Sequence, residues 1–466
     1  MEKEKQSINF NSVIFRAYDI RGVFGEELTC EVVHEIAKAI GTIAHKQNQQ
    51  EIVVGRDGRL SSPELNQVLI EGLLSTGMDI IDIGIVPTPV AYFASHYLNT
   101  NNCVMITGSH NAADYNGLKT VIAGNSLYDN GIEEVKNYVI SKEYKVGDGT
   151  LRNVDISSDY IQRISDDINV SKRSLPKIVI DCGNGSAGTI APRLFEEIGC
   201  DLITMFAEID GRFPNHHPDP SQPDNLEDLI SRVKKENADI GFAFDGDGDR
   251  LGMVDSVGNI IWPDKQLMLL AIDVLSRNKG SSIIYDVKCT QYLKSIIESN
   301  HGKAIMWKTG HSFIKQKMNE INAPLAGEMS GHIFFKERWY GFDDALYTAA
   351  RFIEIFSNSK KKPTELFGEL SYGISTPELR MYLKENEHNN FMKEFSQNIY
   401  NLNANIIDID GLRTEYDDGW GLVRPSNTSP YIIFRFEADT ESALERIQFE
   451  FRNIINLIRP AIEIPF

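Results

Sequence analysis

One local pattern recurs in the chain and restricts its fold. KIVIDCGNGSAGTIAPRLFEEIG, from Lys177, is a short β-branched run, then a glycine loop, then an amphipathic helical stretch. EIVVGRDGRLSSPELNQVLIEGLL, from Glu51, follows the same order, with Ser62-Pro63 opening its helix, and SSIIYDVKCTQYLKSIIES, from Ser281, gives a third copy. Strand, polar loop and helix in succession predict α/β layers, and three such units in different surroundings predict three similar α/β domains. A length of 466 residues agrees, at roughly one domain per 150 residues. After about Lys361 the texture changes. KKKPTEL reads as a proline-containing link, IIDIDGLRTEY and YIIFRFEA as strands turned by Asp-Gly and by Asn427 to Pro430, and about Ser442 to Leu457 as a helix. The expected division is 1–155, 156–256, 257–367 and 368–466, the last an α+β domain.

Composition removes several classes of function. Hydrophobic residues are 42% and charged residues 24%, with no bilayer-length apolar run and no charged-then-apolar start, so a soluble cytoplasmic protein is expected. Cys30, Cys103, Cys182, Cys200 and Cys289 are scattered without metal-type spacing, which predicts reduced thiols and no structural zinc. A net charge of −19 repels nucleic acid and anionic lipid, so any anionic substrate must be held by a locally basic pocket.

Four loops then carry candidate chemistry. TGSHNAADYNGLK, Thr107 to Lys119, follows the apolar run Val104-Met105-Ile106 and places Ser109 on a tight loop at a strand end, where α/β folds bind ligands; a backbone-capping turn serine is the competing reading. In GFAFDGDGDRLGMVD, Asp245, Asp247 and Asp249 alternate with glycines, and oxygen-only ligands in that number suit a hard cation such as magnesium beside a phosphate. A calcium EF-hand fits poorly, because Arg250 stands where that loop needs glycine and Ser256 where it needs glutamate. GEMSGH sets Glu328, Ser330 and His332 on alternating loop positions suited to sugar hydroxyls, and RPSNTSP offers Arg424, Ser426, Asn427 and Thr428 as a phosphate cradle or a polar hairpin turn. Lys308 and His311 in MWKTGHSFIK form a cationic patch or a helix start, and an unperturbed His311 titrates near neutral pH and can shuttle a proton. His216-His217 in FPNHHPDPSQPDN reads as a proline-fixed loop without chemistry. Gly183 to Gly188 matches GxGxxG, with Glu208 or Asp210 as a ribose ligand, so an NAD-dependent oxidoreductase is the rival hypothesis, one that leaves the DGDGD loop without a task.

The motifs IFRAYDIRG, TGSHN, FDGDGDR, MWKTGH, GEMSGHIFFKERW, SNTSP and FRFEAD together resemble the α-D-phosphohexomutase superfamily, within it the bacterial bifunctional enzymes, over nearly the whole chain. The resemblance implies mixed-sheet α/β domains around a central cleft and reversible interconversion of hexose 1- and 6-phosphates, of mannose and glucose, through a hexose 1,6-bisphosphate. It implies Ser109 as the phosphoserine, magnesium held by Ser109, Asp245, Asp247 and Asp249, and Arg250 beside that site. It makes Arg21, Lys119 and His311 the proton-handling and charge-stabilising group, Glu328 and Ser330 the hydroxyl readers, and Arg424, Ser426, Asn427 and Thr428 the phosphate holders, with Tyr18 and Lys288 lining the cleft. Partners are then a phosphosugar, without nucleic acid or membrane, and the expected state is a monomer. Phosphoglucosamine mutase is the nearest rival activity, and a non-catalytic sugar-phosphate binding protein the rival from another class. One departure is that Ala112 follows Asn111 where the family often has proline, which predicts a more mobile serine loop.

Overall fold

The computed structural model describes residues 11–384, 387–400, 402–426 and 431–466. These divide into two compact units: the described residues up to Pro263 with Ser330–Leu366, and those of Asp264–Met329 with Phe367–Phe466.

The first unit holds two mixed sheets. In one, the strands Glu51–Arg56, Asp79–Ile85 and Cys103–Ile106 run parallel, while Tyr115–Ile122 pairs antiparallel with Cys103–Ile106 and with Ile20–Val23. Antiparallel register sets Lys119 opposite Met105 and Arg21 opposite Gly117, so two cations flank the strand end that delivers Ser109. The helices Cys30–Lys46 and Ser62–Leu74 cover one face through Val33, Ile36, Ile40, Leu65 and Leu69, all fully buried. In the other sheet, Ile240–Phe244 lies parallel to Lys177–Asp181 and antiparallel to Leu251–Asp255. Every residue of Ile240–Phe244 is buried, as expected of a central strand covered on both faces, and it ends on Asp245. Within Ser330–Leu366, Trp339 stacks on Tyr347 at 4.3 Å and meets Phe93 and Tyr160, which fastens this segment to the helix Thr88–Tyr97.

The second unit has a parallel arrangement of Ser282–Asp286 between Lys303–Trp307 and Leu325–Gly327, and a six-stranded antiparallel sheet at the C-terminal end of the chain. Two amphipathic helices, His388–Ile399 and Glu441–Ile458, bury Phe391, Phe395, Ile447 and Phe451 against that sheet. The Thr440 hydroxyl accepts from the Ala443 N–H and starts the last helix within a residue of where the sequence places it. KKKPTEL falls where the chain passes from the first unit to the second, and it carries the short helix Pro363–Gly368, with Glu365 reaching back to accept from the Lys362 N–H at 2.8 Å. The loop Val287–Gln291 is instead gripped by buried side chains of the antiparallel sheet. Arg413 donates to the Val287 and Cys289 carbonyls, Arg435 to the Lys288 carbonyl, and Glu437 accepts from Thr290 and Gln291. Trp420 lies fully buried there with Arg413 3.9 Å and Arg435 5.7 Å from its ring.

Candidate active site and metal centre

Ser109 has φ +50°, a left-handed conformation costly for a residue with a side chain, so its surroundings must hold it. Its N–H donates to the Thr107 hydroxyl at 2.7 Å. Around it, Arg59 is the organising group and one that sequence reasoning does not single out. This guanidinium is 1% exposed and donates to the carbonyls of Ser109 and Asn111 at 2.7 Å, of Tyr115 at 3.0 Å and of Ala112, while its Nε faces Asp57 at 3.2 Å. A Cβ on Gly108 would lie 2.3 Å from the Arg59 Cζ, so only glycine admits the clamp. Arg21 adds bonds to the Gly108 carbonyl and the Asn111 side chain, both 2.6 Å. The serine loop is therefore anchored from its carbonyls, that of Ala112 included.

The second loop meets it directly. Asp245 Oδ1 accepts from the N–H groups of Asp249 and Arg250, closing a tight turn that aims Asp245, Asp247 and Asp249 inward with no exposed surface. A Cβ on Gly246 would lie 2.4 Å from the Ser109 carbonyl, so glycine there permits the approach that leaves Ser109 Oγ 3.2 Å from Asp245 Oδ2. One carboxylate oxygen from each aspartate lies within 4.8 Å of the others. Lys119 Nζ stands 2.7 Å from Asp247 and 2.5 Å from Asp249, and Thr88, also missed in the sequence, donates to Asp247.

The electrostatics suit a bound cation. Burial, then Asp247 and Asp249, push the Asp245 carboxyl well above its ordinary range. Burial opposes ionisation of the other two as well, but Lys119 outweighs it, together with Thr88 at Asp247 and with His332 at Asp249, and holds both low. Burial works against the Lys119 ammonium too, yet Asp247 and Asp249 raise its pKa above the usual lysine value. Among the described residues Asp247 Oδ1 has no hydrogen-bond partner. Three buried carboxylates, one of them pushed well above its ordinary range by burial and by the other two, with an orphaned oxygen, form the donor set that a small hard divalent ion satisfies. Arg250 lies 4.0 Å from Asp245 and donates to His332 Nε2 at 3.3 Å, and Ser330 Oγ lies 2.9 Å from His332 Nδ1. The structure thus brings Arg21, Ser109, Lys119, Asp245, Asp247, Asp249, Arg250 and Ser330 into the first unit, with Tyr18 half-buried just ahead of Arg21.

The second unit places Lys288, His311 and Glu328 beyond the carboxyl ends of its parallel strands, and Arg424 within the antiparallel strand Gly419–Pro425. Glu328 accepts from the Gly310 N–H, where the backbone at φ +133° opens the helix His311–Ile321 with His311 buried. Lys288 Nζ pairs with Glu378 at 2.6 Å and faces Asp286 at 3.9 Å. Arg424 pairs with Asp410 at 3.1 Å, and Asp410 also accepts from the Thr309 N–H at 3.0 Å, which ties the arginine to the strand–helix turn carrying His311. Glu378 and Asp410 carry no recognisable sequence signal. Ser426 follows Arg424, while Asn427 and Thr428 lie outside the described residues.

The glycine loop Gly183–Gly188 is filled by protein. Ser186 donates to the Gly246 carbonyl through its N–H at 3.0 Å and its hydroxyl at 3.2 Å, and a Cβ on Gly185 would lie 2.7 Å from that oxygen. A pyrophosphate has no room there, which ends the dinucleotide reading.

A serine loop pressed against a buried carboxylate triad on an α/β scaffold fits the class of metal-assisted phosphoryl-transfer enzymes. The comparisons make this specific. The four profiles described as phosphoglucomutase/phosphomannomutase alpha/beta/alpha domains I, II and III and C-terminal domain match residues 12–145, 158–258, 262–372 and 381–454. A phosphomannomutase/phosphoglucomutase of Pseudomonas aeruginosa is 50% identical, with 97% of each chain covered, and a phosphoglucomutase of Neisseria meningitidis is 48% identical over 96% of this chain and 98% of its own. The crystal structure of a phosphoglucomutase/phosphomannomutase family protein from Burkholderia thailandensis superposes with TM-score 0.93 at 46% identity, covering 98% of this chain and 100% of that one. The chain belongs to the phosphoglucomutase/phosphomannomutase family of phosphohexomutases. No helix among the described residues is long and apolar enough to cross a membrane.

Proposed function

We propose that this enzyme reversibly interconverts the 1- and 6-phosphates of mannose and glucose through a phosphorylated Ser109 and a hexose 1,6-bisphosphate. The observation that carries the reading is the 3.2 Å approach of Ser109 Oγ to Asp245 within the buried triad. Asp245, Asp247, Asp249 and the Ser109 oxygen would hold magnesium, which when bound offsets negative charge on the transferring phosphoryl oxygens. In the first half-reaction the free hydroxyl of the sugar monophosphate attacks phosphorus, the bond to Ser109 Oγ breaks and the bisphosphate forms. After reorientation, Ser109 Oγ attacks the other phosphoryl group and the isomeric monophosphate leaves. Arg21 and Lys119 supply fixed positive charge, Lys119 being held protonated by its two aspartates, and His311 completes the proton-handling and charge-stabilising group. Arg250 lies beside the phosphoryl site, Glu328 and Ser330 read hydroxyls, Tyr18 and Lys288 line the sugar site, and Arg424 with Ser426, Asn427 and Thr428 holds the distal phosphate. Residues 1–155, 156–256, 257–367 and 368–466 contribute these parts in that order, and the protein acts as a cytoplasmic monomer.

A coupled assay of glucose, mannose and glucosamine 1-phosphates with trace bisphosphate tests this. Comparable turnover of the first two with little of the third supports it; a dominant glucosamine activity replaces it with a phosphoglucosamine mutase.

A further inference from the structure

His216 and His217, assigned no chemistry from sequence, stand where the serine and aspartate loops meet. His216 Nε2 lies 3.0 Å from Asp181 Oδ2, and its Nδ1 lies 3.0 Å from the His217 carbonyl oxygen. Both partners are acceptors, so both ring nitrogens must carry a proton, and this geometry is that of an imidazolium. The other Asp181 oxygen accepts from the Gly183 N–H at 2.8 Å, which fixes the carboxylate at the end of the strand Lys177–Asp181. With its backbone pinned in this way, His217 turns its Nε2 onto the carbonyl of His110, the residue after Ser109. The carbonyl of the next residue, Pro218, accepts from the Gly246 N–H at 3.2 Å. One short segment therefore holds both loops at adjacent residues.

We propose that His216 and His217 are positioning residues, His216 as an imidazolium, that brace the Ser109 loop against the Asp245–Asp249 loop and so set the spacing across which phosphoryl transfer occurs. This rests on the phosphoserine reading above. The charged groups facing His216 are Asp181 and, from the helix Glu227–Glu236, Asp228; the Phe206 ring meets it edge-on at 5.5 Å. Burial opposes the charge on His216, but Asp181 outweighs it and raises the pKa above the ordinary histidine value. The brace is complete below the ordinary pKa and weakens as pH rises through the raised one, because losing either proton leaves Asp181 or the His217 carbonyl without its donor. A displacement of the serine loop of about 1 Å is enough to lose about 100-fold in rate.

The full-length protein labelled with 15N-histidine tests the charge directly, with His216 assigned by its absence from His216→Gln. Two protonated ring nitrogens, one of them lost only as pH rises past the ordinary histidine value, support the proposal; loss at or below that value, or a neutral tautomer throughout, overturns it. In kinetics, His216→Gln and His217→Phe should each lower kcat about 10- to 100-fold with KM for the hexose phosphate within about threefold, and His216→Gln should lose the basic limb of kcat. Wild-type kcat and an unchanged basic limb in both overturn it. The NMR result needs no folded variant beyond the assignment and no turnover, so its failure is separable from retained turnover in Ser109→Ala, which would remove the phosphoserine reading instead.

Discussion

Replacing Arg59 by alanine should cost the first unit stability and turnover together. The guanidinium is 1% exposed and binds four carbonyls of the serine loop as well as Asp57. Hydrogen bonds to a charged group are worth about 1.5–3 kcal/mol each, but water can reach part of the loop in the variant, so their sum overstates the loss. The better guide is the cost of stripping one partner from a buried ion pair, about 3–5 kcal/mol, which leaves Asp57 buried and uncompensated. Against a total of about 5–15 kcal/mol the protein should still fold. At about 2–4 °C per kcal/mol, the corresponding unfolding transition should fall by about 6–20 °C in calorimetry. Because Ser109 is held at φ +50° by this clamp, kcat should fall as well at temperatures where the variant is folded. Arg59→Lys keeps a charge for Asp57 but loses the planar fork, so it should be intermediate in stability and close to alanine in kcat. A transition within about 2 °C of wild type, with kcat unchanged in Arg59→Ala, would refute the reasoning.

Ser109→Ala should abolish turnover with the fold intact, and intact-mass measurement after incubation with a hexose 1,6-bisphosphate should show one added phosphate in wild type only. Asp247→Asn removes a full negative charge from the buried triad and should raise the magnesium activation constant about tenfold or more while leaving sugar-phosphate binding near wild type; activity that survives exhaustive chelation would make the triad structural. Glu378 is half-buried, which opposes its charge, but pairing with Lys288 dominates and lowers its pKa from 4.5 to about 2, so the pair stabilises the second unit fully above the ordinary value and progressively less as pH falls toward the lowered one. The stability gap between wild type and Glu378→Gln should accordingly stay constant from about pH 7 to about pH 5 and shrink below that, whereas a gap independent of pH would show that charge is not its cause.

What the sequence reveals and what it hides separate along a physical line. Ser109, the three aspartates and the α/β layering are legible because each depends on neighbours within a few residues: an apolar run, a glycine, a periodic helix face. The last helix is placed within a residue for the same reason. Arg59 is not legible, since its role consists of bonds to carbonyls 50 to 56 residues away, and carbonyls belong to every residue type. Thr88 and Asp247 pair across 159 positions, and His217 and His110 across 107, with nothing in local composition to announce either. KKKPTEL is legible as the link at the unit boundary but not as a helix. Its lysines and proline resemble a solvated link, yet proline is also a favoured first residue of a helix, and Pro363–Gly368 uses it so.

The two buried indoles give each unit a reporter of its own. Trp339 stacks 4.3 Å from Tyr347 with one guanidinium, Arg163, 5.1 Å from its ring, while Trp420 has two, Arg413 at 3.9 Å and Arg435 at 5.7 Å. An excited indole shifts charge toward its six-membered ring, so nearby cations tune its emission in a way that stacked hydrocarbon rings do not. Because the half-buried Trp262 and Trp307 also emit, the melt of wild type minus that of Trp339→Phe, and minus that of Trp420→Phe, isolates each buried indole and gives the order in which the two units unfold.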